Sequence, residues 1–223
     1  MVRAVIFDLD DTLYPEHSFV LSGFAAVERW LEAQGRSGPF AKVAAELMAT
    51  GLRGTIFDAT LHRLGWELDP AMIQKMVRVY RGHVPAIRLF DDAEWILTRL
   101  RPDFRLGLVT DGFAEAQRSK IAALDLERRT DLCVMTDLLG QGSWKPSPAG
   151  FLRCMEALGV RGAECVYVGD NPAKDFVAPN QLGWLSVQVH RPDGVHAGAK
   201  APPGGEAAEH IRSLRELEGV LSR

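Results

Sequence analysis

The chain has 223 residues, 47% hydrophobic and 25% charged, with a formal net charge of −3. At this length folding buries roughly 70% of the unfolded surface, so no disulfide or structural metal is needed for stability, and the composition excludes wholesale disorder. The acidic balance offers no basic footprint for nucleic acid, no apolar run approaches the ~18 residues of a membrane span, and acidic residues from Asp8 onward argue against a signal peptide.

In chain order, Ala4-Val5-Ile6-Phe7 is a continuous apolar run stopped by Asp8, the form of a strand covered on both faces in a parallel sheet. The stretch from there to Leu106 far exceeds the dozen or so residues that a crossover needs, and its excess reads as helical. Val20, Phe24, Val27 and Leu31 share one helical face, and Val43 with Leu47, then Phe57 with Leu61, continue the pattern. Asp69-Pro70 reads as an N-cap with proline at the first helical position, ahead of Ile73, Met76, Val77 and Tyr80. Residues 16–86 are therefore expected to form a small helical domain inserted after the first strand, with 1–15 and 87–223 forming the core.

Ala93, Ile96, Leu97 and Leu100 mark a further helix. Three apolar runs follow: Leu106 to Val109 before Thr110-Asp111-Gly112, Leu132 to Met135 before Thr136-Asp137, and Cys165 to Val168 before Gly169-Asp170. Helical stretches from Phe113 to Leu126 and from Pro148 to Leu158 separate them. A fifth run, Trp184 to Val189, alternates partly and reads as nearer an edge. This alternation predicts a parallel α/β sheet. Pro192 to Gly205 reads as a flexible connector, and Ile211, Leu214, Leu217, Val220 and Leu221 as one short amphipathic helix. Cys133, Cys154 and Cys165 are an odd, scattered set, expected to be buried, reduced thiols in a cytoplasmic protein.

In open α/β sheets, ligands bind beyond the carboxyl ends of the strands, where this chain carries Asp8, Asp10, Thr110, Asp111 and Asp170, with Lys145 a short loop further on. Asp8 and Asp10 lie two apart, so an extended chain turns both to one side. They read either as turn and cap residues or as clustered anions whose repulsion raises their pKa values unless a cation compensates. The latter favours a hard divalent ion with oxygen ligands, most simply Mg2+. Thr110-Asp111-Gly112 reads either as an N-cap or as a hydroxyl with free N–H groups cradling a phosphate. In Lys145-Pro146-Ser147-Pro148, Ser147 reads as an N-cap and Pro148 as the first helical residue, while Pro146 stiffens the loop from which Lys145 projects. Asp170 could cap a helix or, with Asp175, ligate a metal.

Together these residues resemble the haloacid dehalogenase superfamily, in the subfamily (I) whose helical cap is inserted after the first strand. The resemblance is carried by Asp8-x-Asp10-x-Thr12, by Thr110, by Lys145 in a Lys-Pro-x-Pro-x-x-Phe setting ending at Phe151, and by Gly169-Asp170 with Asp175 five residues on. It covers the whole core; the cap is similar by position and helicity. It implies a Rossmann-like core in which Asp8 is the nucleophile forming an aspartyl-phosphate. It also implies that Asp10 is the general acid and then the base, and that Mg2+ is held by Asp8, the Asp10 backbone carbonyl and Asp170. Asp175 would be a further ligand or support. Thr110 with the Asp111 and Gly112 amides would bind phosphoryl oxygens, and Lys145 would pair with Asp8 and the phosphate. The superfamily's dehalogenases lack the second aspartate and need no metal, so Asp10 favours phosphoryl chemistry, and Asp11-Thr12 leans away from the β-phosphoglucomutase-like members. Asp111 departs from a frequent asparagine.

The function so implied is a Mg2+-dependent phosphatase of small phosphorylated metabolites, such as sugar phosphates or nucleoside monophosphates. It would act as a monomer or homodimer without nucleic-acid polymer or membrane partners. A phosphomutase and a non-catalytic metal-binding module are the alternatives. His17, Arg53 and Arg81 are secondary candidates for substrate contact. The aromatics Phe24, Trp30, Phe57 and Tyr80 read as cap core, and His62, His83, His190, His196 and His210 as structural.

Overall fold

The computed structural model describes residues 1–222. By its internal contacts the chain divides into two units, one of Met1–Glu16 with the chain from Arg88 onward, the other of His17–Ile87. The first is built on β1 (Ala4–Phe7), β2 (Arg105–Thr110), β3 (Leu132–Met135), β4 (Cys165–Gly169), β5 (Leu185–Val189) and β6 (Glu209–Ile211). All pair in parallel, in the spatial order β3-β2-β1-β4-β5-β6. This is the Rossmann order, whose direction reverses between β1 and β4 and leaves a crevice at their carboxyl ends.

β1 is central, and its four side chains are fully buried, each worth about 1.5–3 kcal/mol where large and apolar. Phe7 stands opposite Leu108 on one side and Val168 on the other. That register brings Asp8, Thr110 and Asp170 to one edge of the sheet. In this unit the helices are α5 (Asp91–Leu100), α6 (Ala114–Ala123), α7 (Leu126–Arg129), α8 (Ala149–Leu158), α9 (Val177–Gln181) and α10 (Leu217–Leu221), while the helical insert carries α1 (Glu16–Ala33), α2 (Phe40–Ala49), α3 (Ile56–Arg63) and α4 (Pro70–Gly82). Gly150 lets α8 lie close on the sheet, because a Cβ there would come within 2.9 Å of Val109 and 3.0 Å of Thr136. Phe151, Cys154, Tyr167 and Phe176 then fill one core cluster with Ile6 and Val109.

Several local expectations are corrected. Trp184 to Val189 does lie nearer an edge, but the edge itself is an unforeseen strand: β6 pairs outside β5, with Val189 opposite Ile211. Ile211 is thus a strand residue; the tail after it is a 3-10 turn, Leu214–Glu216, capped by Ser213, followed by the short α10. A strand of Glu-His-Ile has one buried apolar residue, too few to show a period. The stretch from Phe113 to Leu126 is not one helix, since Asp125 turns left-handed (φ 52°) between α6 and α7. The segment Pro192 to Gly205 carries neither helix nor strand, yet it is pinned. The Val195 N–H donates to Asp11 Oδ2 (2.7 Å), and Asn180 Nδ2 donates to the Gly204 carbonyl (3.0 Å). Cys154 and Cys165 are buried, Cys133 is only half-buried, and all three are free thiols.

The helical unit has its own core of Phe24, Val27, Leu31, Phe40, Phe57, Leu61 and Met76, with Trp30 and Tyr80 packed against it. Asp69 caps α4 by accepting from the Ala71 N–H (2.9 Å). His83 is buried between the Ser22 hydroxyl (3.1 Å) and the Tyr80 carbonyl (2.6 Å), holding α1 to α4. Arg53 turns back onto the Met48 and Leu52 carbonyls, both at 2.8 Å. No helix among the described residues is long and apolar enough to cross a membrane.

Candidate active site

Asp8 continues β1 by one bond, its N–H donating to the Val168 carbonyl (2.8 Å), so its carboxylate is presented at the crevice by the sheet itself. Lys145 reaches it from the loop before α8. Its ammonium lies 2.5 Å from Asp8 Oδ1, 2.8 Å from the Tyr167 hydroxyl and 2.8 Å from Asp175 Oδ1, with its side chain fully buried. The contact with Asp175 is an ion pair without hydrogen-bond alignment, leaving that oxygen otherwise unpartnered. The other Asp175 oxygen accepts from the Asn171 N–H (2.9 Å).

Asp8, Asp170 and Asp175 are all buried, and one oxygen from each lies within 4.8 Å of the others. Burial, with repulsion from Asp175, pushes the Asp8 carboxyl up to about 7 despite Lys145. Burial, with repulsion from Asp8 and Asp175, pushes Asp170 up to about 9. Burial alone would lower the Lys145 ammonium, but Asp175 and Asp8 hold it well above its ordinary value. Three carboxylates thus crowd round one buried lysine, an excess of negative charge in an oxygen-rich site. A hard divalent cation fits such a site, because it supplies the missing charge and takes carboxylate ligands.

Asp10 is in a different setting. Its carboxylate is not part of that group of three. Oδ1 accepts from Lys120 Nζ (2.7 Å) and from the Tyr14 hydroxyl, and Oδ2 accepts from Gln117 Nε2 (3.2 Å). Burial would raise the Asp10 carboxyl, but the Lys120 charge and these three hydrogen bonds outweigh it and hold it below the usual carboxylate range. Asp11, the third acid of the run, faces neither group. Its oxygens accept from the Glu16 N–H (2.8 Å) and the Val195 N–H (2.7 Å), fixing the entry to α1 and the loop after β5.

Thr110 is buried at the end of β2, and its hydroxyl accepts from Gln117 Nε2 (2.5 Å). The N-cap reading of Thr110-Asp111-Gly112 is overturned. The first N–H of α6, that of Ala114, goes to Asp137 Oδ2 (3.0 Å). Asp111 instead accepts from the Thr136 hydroxyl (2.8 Å), the Lys145 N–H (3.1 Å) and Lys174 Nζ (2.9 Å). Burial opposes its charge, yet Lys145 and Lys174 keep its carboxyl below the ordinary range. The anion standing in place of asparagine is therefore neutralised from below and anchors the Lys145 loop. Ser147 also caps from one position further out than expected: α8 starts at Ala149, whose N–H donates to Ser147 Oγ at 3.4 Å.

The resulting pocket measures about 160 Å3 and is lined by Asp8, Asp10, Glu16, Thr110, Asp111, Gly112, Trp144, Asp170, Asn171, Lys174 and His196. It brings together every expected site residue except Lys145 and Asp175, which lie behind Asp8. Sequence reasoning missed Tyr14, Gln117, Lys120, Lys174 and His196. His196, read as structural, lines this pocket from a segment read as a connector. Gln117 and Lys120 did carry a signal: their i, i+3 spacing on the helix after Gly112 puts both on one face.

A parallel sheet in the Rossmann order, with an acidic and lysine-bearing pocket at its carboxyl edge, places the chain among the Rossmann-like α/β enzymes. A family model described as haloacid dehalogenase-like hydrolase matches residues 2–183. The chain is 30% identical over 203 residues to the glyceraldehyde 3-phosphate phosphatase of Methanopyrus kandleri, covering 86% of this chain and 85% of that one. It is 27% identical over 239 residues to the N-acylneuraminate-9-phosphatase of Mus musculus, covering 99% and 94%. Among solved structures, a 2-haloacid dehalogenase from Pseudomonas syringae pv. Tomato DC3000 superposes with a TM-score of 0.68 at 26% identity, covering 100% of this chain and 99% of that one. The chain belongs to the haloacid dehalogenase-like hydrolase family, and within it is an enzyme of the phosphatase kind.

Proposed function

We propose that the chain is a Mg2+-dependent phosphatase of small phosphorylated metabolites, acting through a phosphorylated Asp8. One observation carries this reading: two carboxylates two residues apart at one strand end have opposite settings, Asp8 against Lys145 and Asp10 against Lys120, Tyr14 and Gln117. Such a division suits a nucleophile beside a separate acid–base group.

Asp8 attacks phosphorus, forming an Oδ–P bond as the bond to the leaving oxygen breaks. Asp10 delivers the proton to that oxygen, then removes one from the water that hydrolyses the acyl phosphate. The free Asp10 is ionised by its neighbours; a phosphate dianion in the pocket disfavours a second nearby anion, which favours loading Asp10 with the proton it donates. The Thr110 hydroxyl and the Asp111 and Gly112 amides receive the phosphoryl oxygens, and Lys145 offsets the charge of Asp8 and phosphate. Asp8 and Asp170, with the Asp10 backbone carbonyl, would hold Mg2+, with Asp175 as a further ligand or as support from behind; the ion supplies positive charge against the phosphoryl group when bound. The names of the relatives, phosphatases of a triose phosphate and of a sugar-acid phosphate, support small metabolites over polymers, and the free thiols support a cytoplasmic setting.

The test is turnover of an aryl phosphate with Mg2+. Asp8→Asn should lose at least about 10^4-fold in kcat. Asp10→Asn should lose about 10^2–10^4-fold and accumulate phosphorylated enzyme visible by intact mass. Undiminished turnover in Asp8→Asn would overturn the nucleophile assignment.

A further inference from the structure

We propose that Trp144 and Phe113 form the seat for the substrate's leaving group, selecting phosphate monoesters whose leaving group carries a ring with an apolar face. This rests on the phosphatase reading above and adds its substrate class. The pocket of about 160 Å3 is below the ~300–1,000 Å3 of sites that enclose a whole small molecule. It takes the phosphoryl end of a substrate and leaves the rest at the mouth. Inside, apart from Trp144, the pocket offers charged and polar groups that grip a phosphate and give an apolar ring little to rest on.

At the mouth the chemistry changes. Trp144 lines the pocket and immediately precedes Lys145; Phe113 immediately follows Gly112. Their rings meet edge to face, with centroids 6.1 Å apart at 84°. Among the described residues they are the two exposed Phe, Tyr or Trp side chains, at 48% for Phe113 and 42% for Trp144. A single exposed aromatic needs no explanation. Here both members of the pair flank the residues expected to hold the phosphate, so a group attached to that phosphate meets an aromatic surface as it leaves the polar pocket. Sugar rings, through a face of C–H groups, and nucleobases, through a planar π face, share the required feature, an apolar face that packs on indole or phenyl.

The experiment compares kcat and KM on three monoesters, a nucleoside 5′-monophosphate, a hexose phosphate and a ring-free three-carbon phosphate, for wild type, Trp144→Ala, Trp144→Phe and Phe113→Ala. Thermal unfolding confirms that each variant is folded. Wild type should favour at least one ring-bearing ester. Trp144→Ala should cut the ring-over-ring-free preference about five- to tenfold, through KM, Trp144→Phe should recover most of it, and Phe113→Ala should lose less. The ring ester with the larger loss identifies the source. Equal losses on all three esters would mean that Trp144 only stiffens the Lys145 loop, and an unchanged preference would mean that it touches no substrate; either overturns the seat alone. A wild type that turns over none of the three overturns the phosphatase reading beneath it.

Discussion

The two halves of the pocket teach different lessons about carboxylates. Around Asp8, negative charge exceeds positive: Asp170 and Asp175 crowd it, Lys145 is the buried cation in contact, and Asp8 and Asp170 are pushed up to about 7 and about 9. Around Asp10 the balance reverses, because a cation and two neutral donors converge on one carboxylate and hold it low. Both acids leave the same strand end. The difference comes from the elements that meet them: the loops after β3 and β4 bring Lys145 and more acid to one side, and α6 brings Lys120 and Gln117 to the other. One half is thus short of a cation and the other already satisfied, as expected where a bound ion and a proton carrier work side by side.

The largest way to break this contrast is to remove Lys145. Lys145→Met leaves Asp8 and Asp175 buried without their cation, a change that typically costs about 3–5 kcal/mol. Denaturant unfolding without metal should show a loss of that order, and saturating Mg2+ should restore part of it. A loss confined to activity would mean that the acidic half is not short of charge. Next, Lys120→Met should leave the fold standing but lower kcat by up to about 10^2-fold, the scale of a misplaced catalytic group. With Lys120 gone, its lowering effect on the buried Asp10 carboxyl is lost, so the limb of the pH–rate curve that reports Asp10 should move to higher pH; an unmoved limb would separate Lys120 from Asp10.

A smaller effect should appear in how the cation changes stability with pH. Asp8 and Asp170 have folded-state values raised from 3.8 to about 7 and about 9. Their stabilising contribution is complete below about pH 4 and is lost as pH rises through those values. A cation that binds the ionised forms should therefore raise Tm by a few degrees at pH 8 and little at pH 5. Scanning calorimetry with and without Mg2+ at the two pH values measures this, and an equal shift at both would count against carboxylate ligation.

Much of the core was legible because buried parallel strands are continuous apolar runs, and each such run here stops at a polar residue that the sheet register carries to the same edge. That logic placed Asp8, Thr110 and Asp170 together. It failed for β6, whose three residues pair by backbone and carry one buried side chain. It also failed for Lys120: its spacing puts it on one helical face with Gln117, but nothing local shows that this face is buried against Asp10, whose Oδ1 lies 2.7 Å from its ammonium.

By itself, then, the amino-acid order determined the alternation of strands and helices, the helical insert after β1 and the acids at the strand ends, since these follow from local period and from what can end a buried strand. Only the tertiary structure decided what each acid of the Asp8-Leu9-Asp10-Asp11 run does. Asp8 faces a lysine some 137 positions away, Asp10 a lysine 110 away, and Asp11 the backbone of a loop 184 away. A carboxylate's charge state depends on which charges and donors surround it, and neighbours that distant in sequence are assigned by the packing of the sheet.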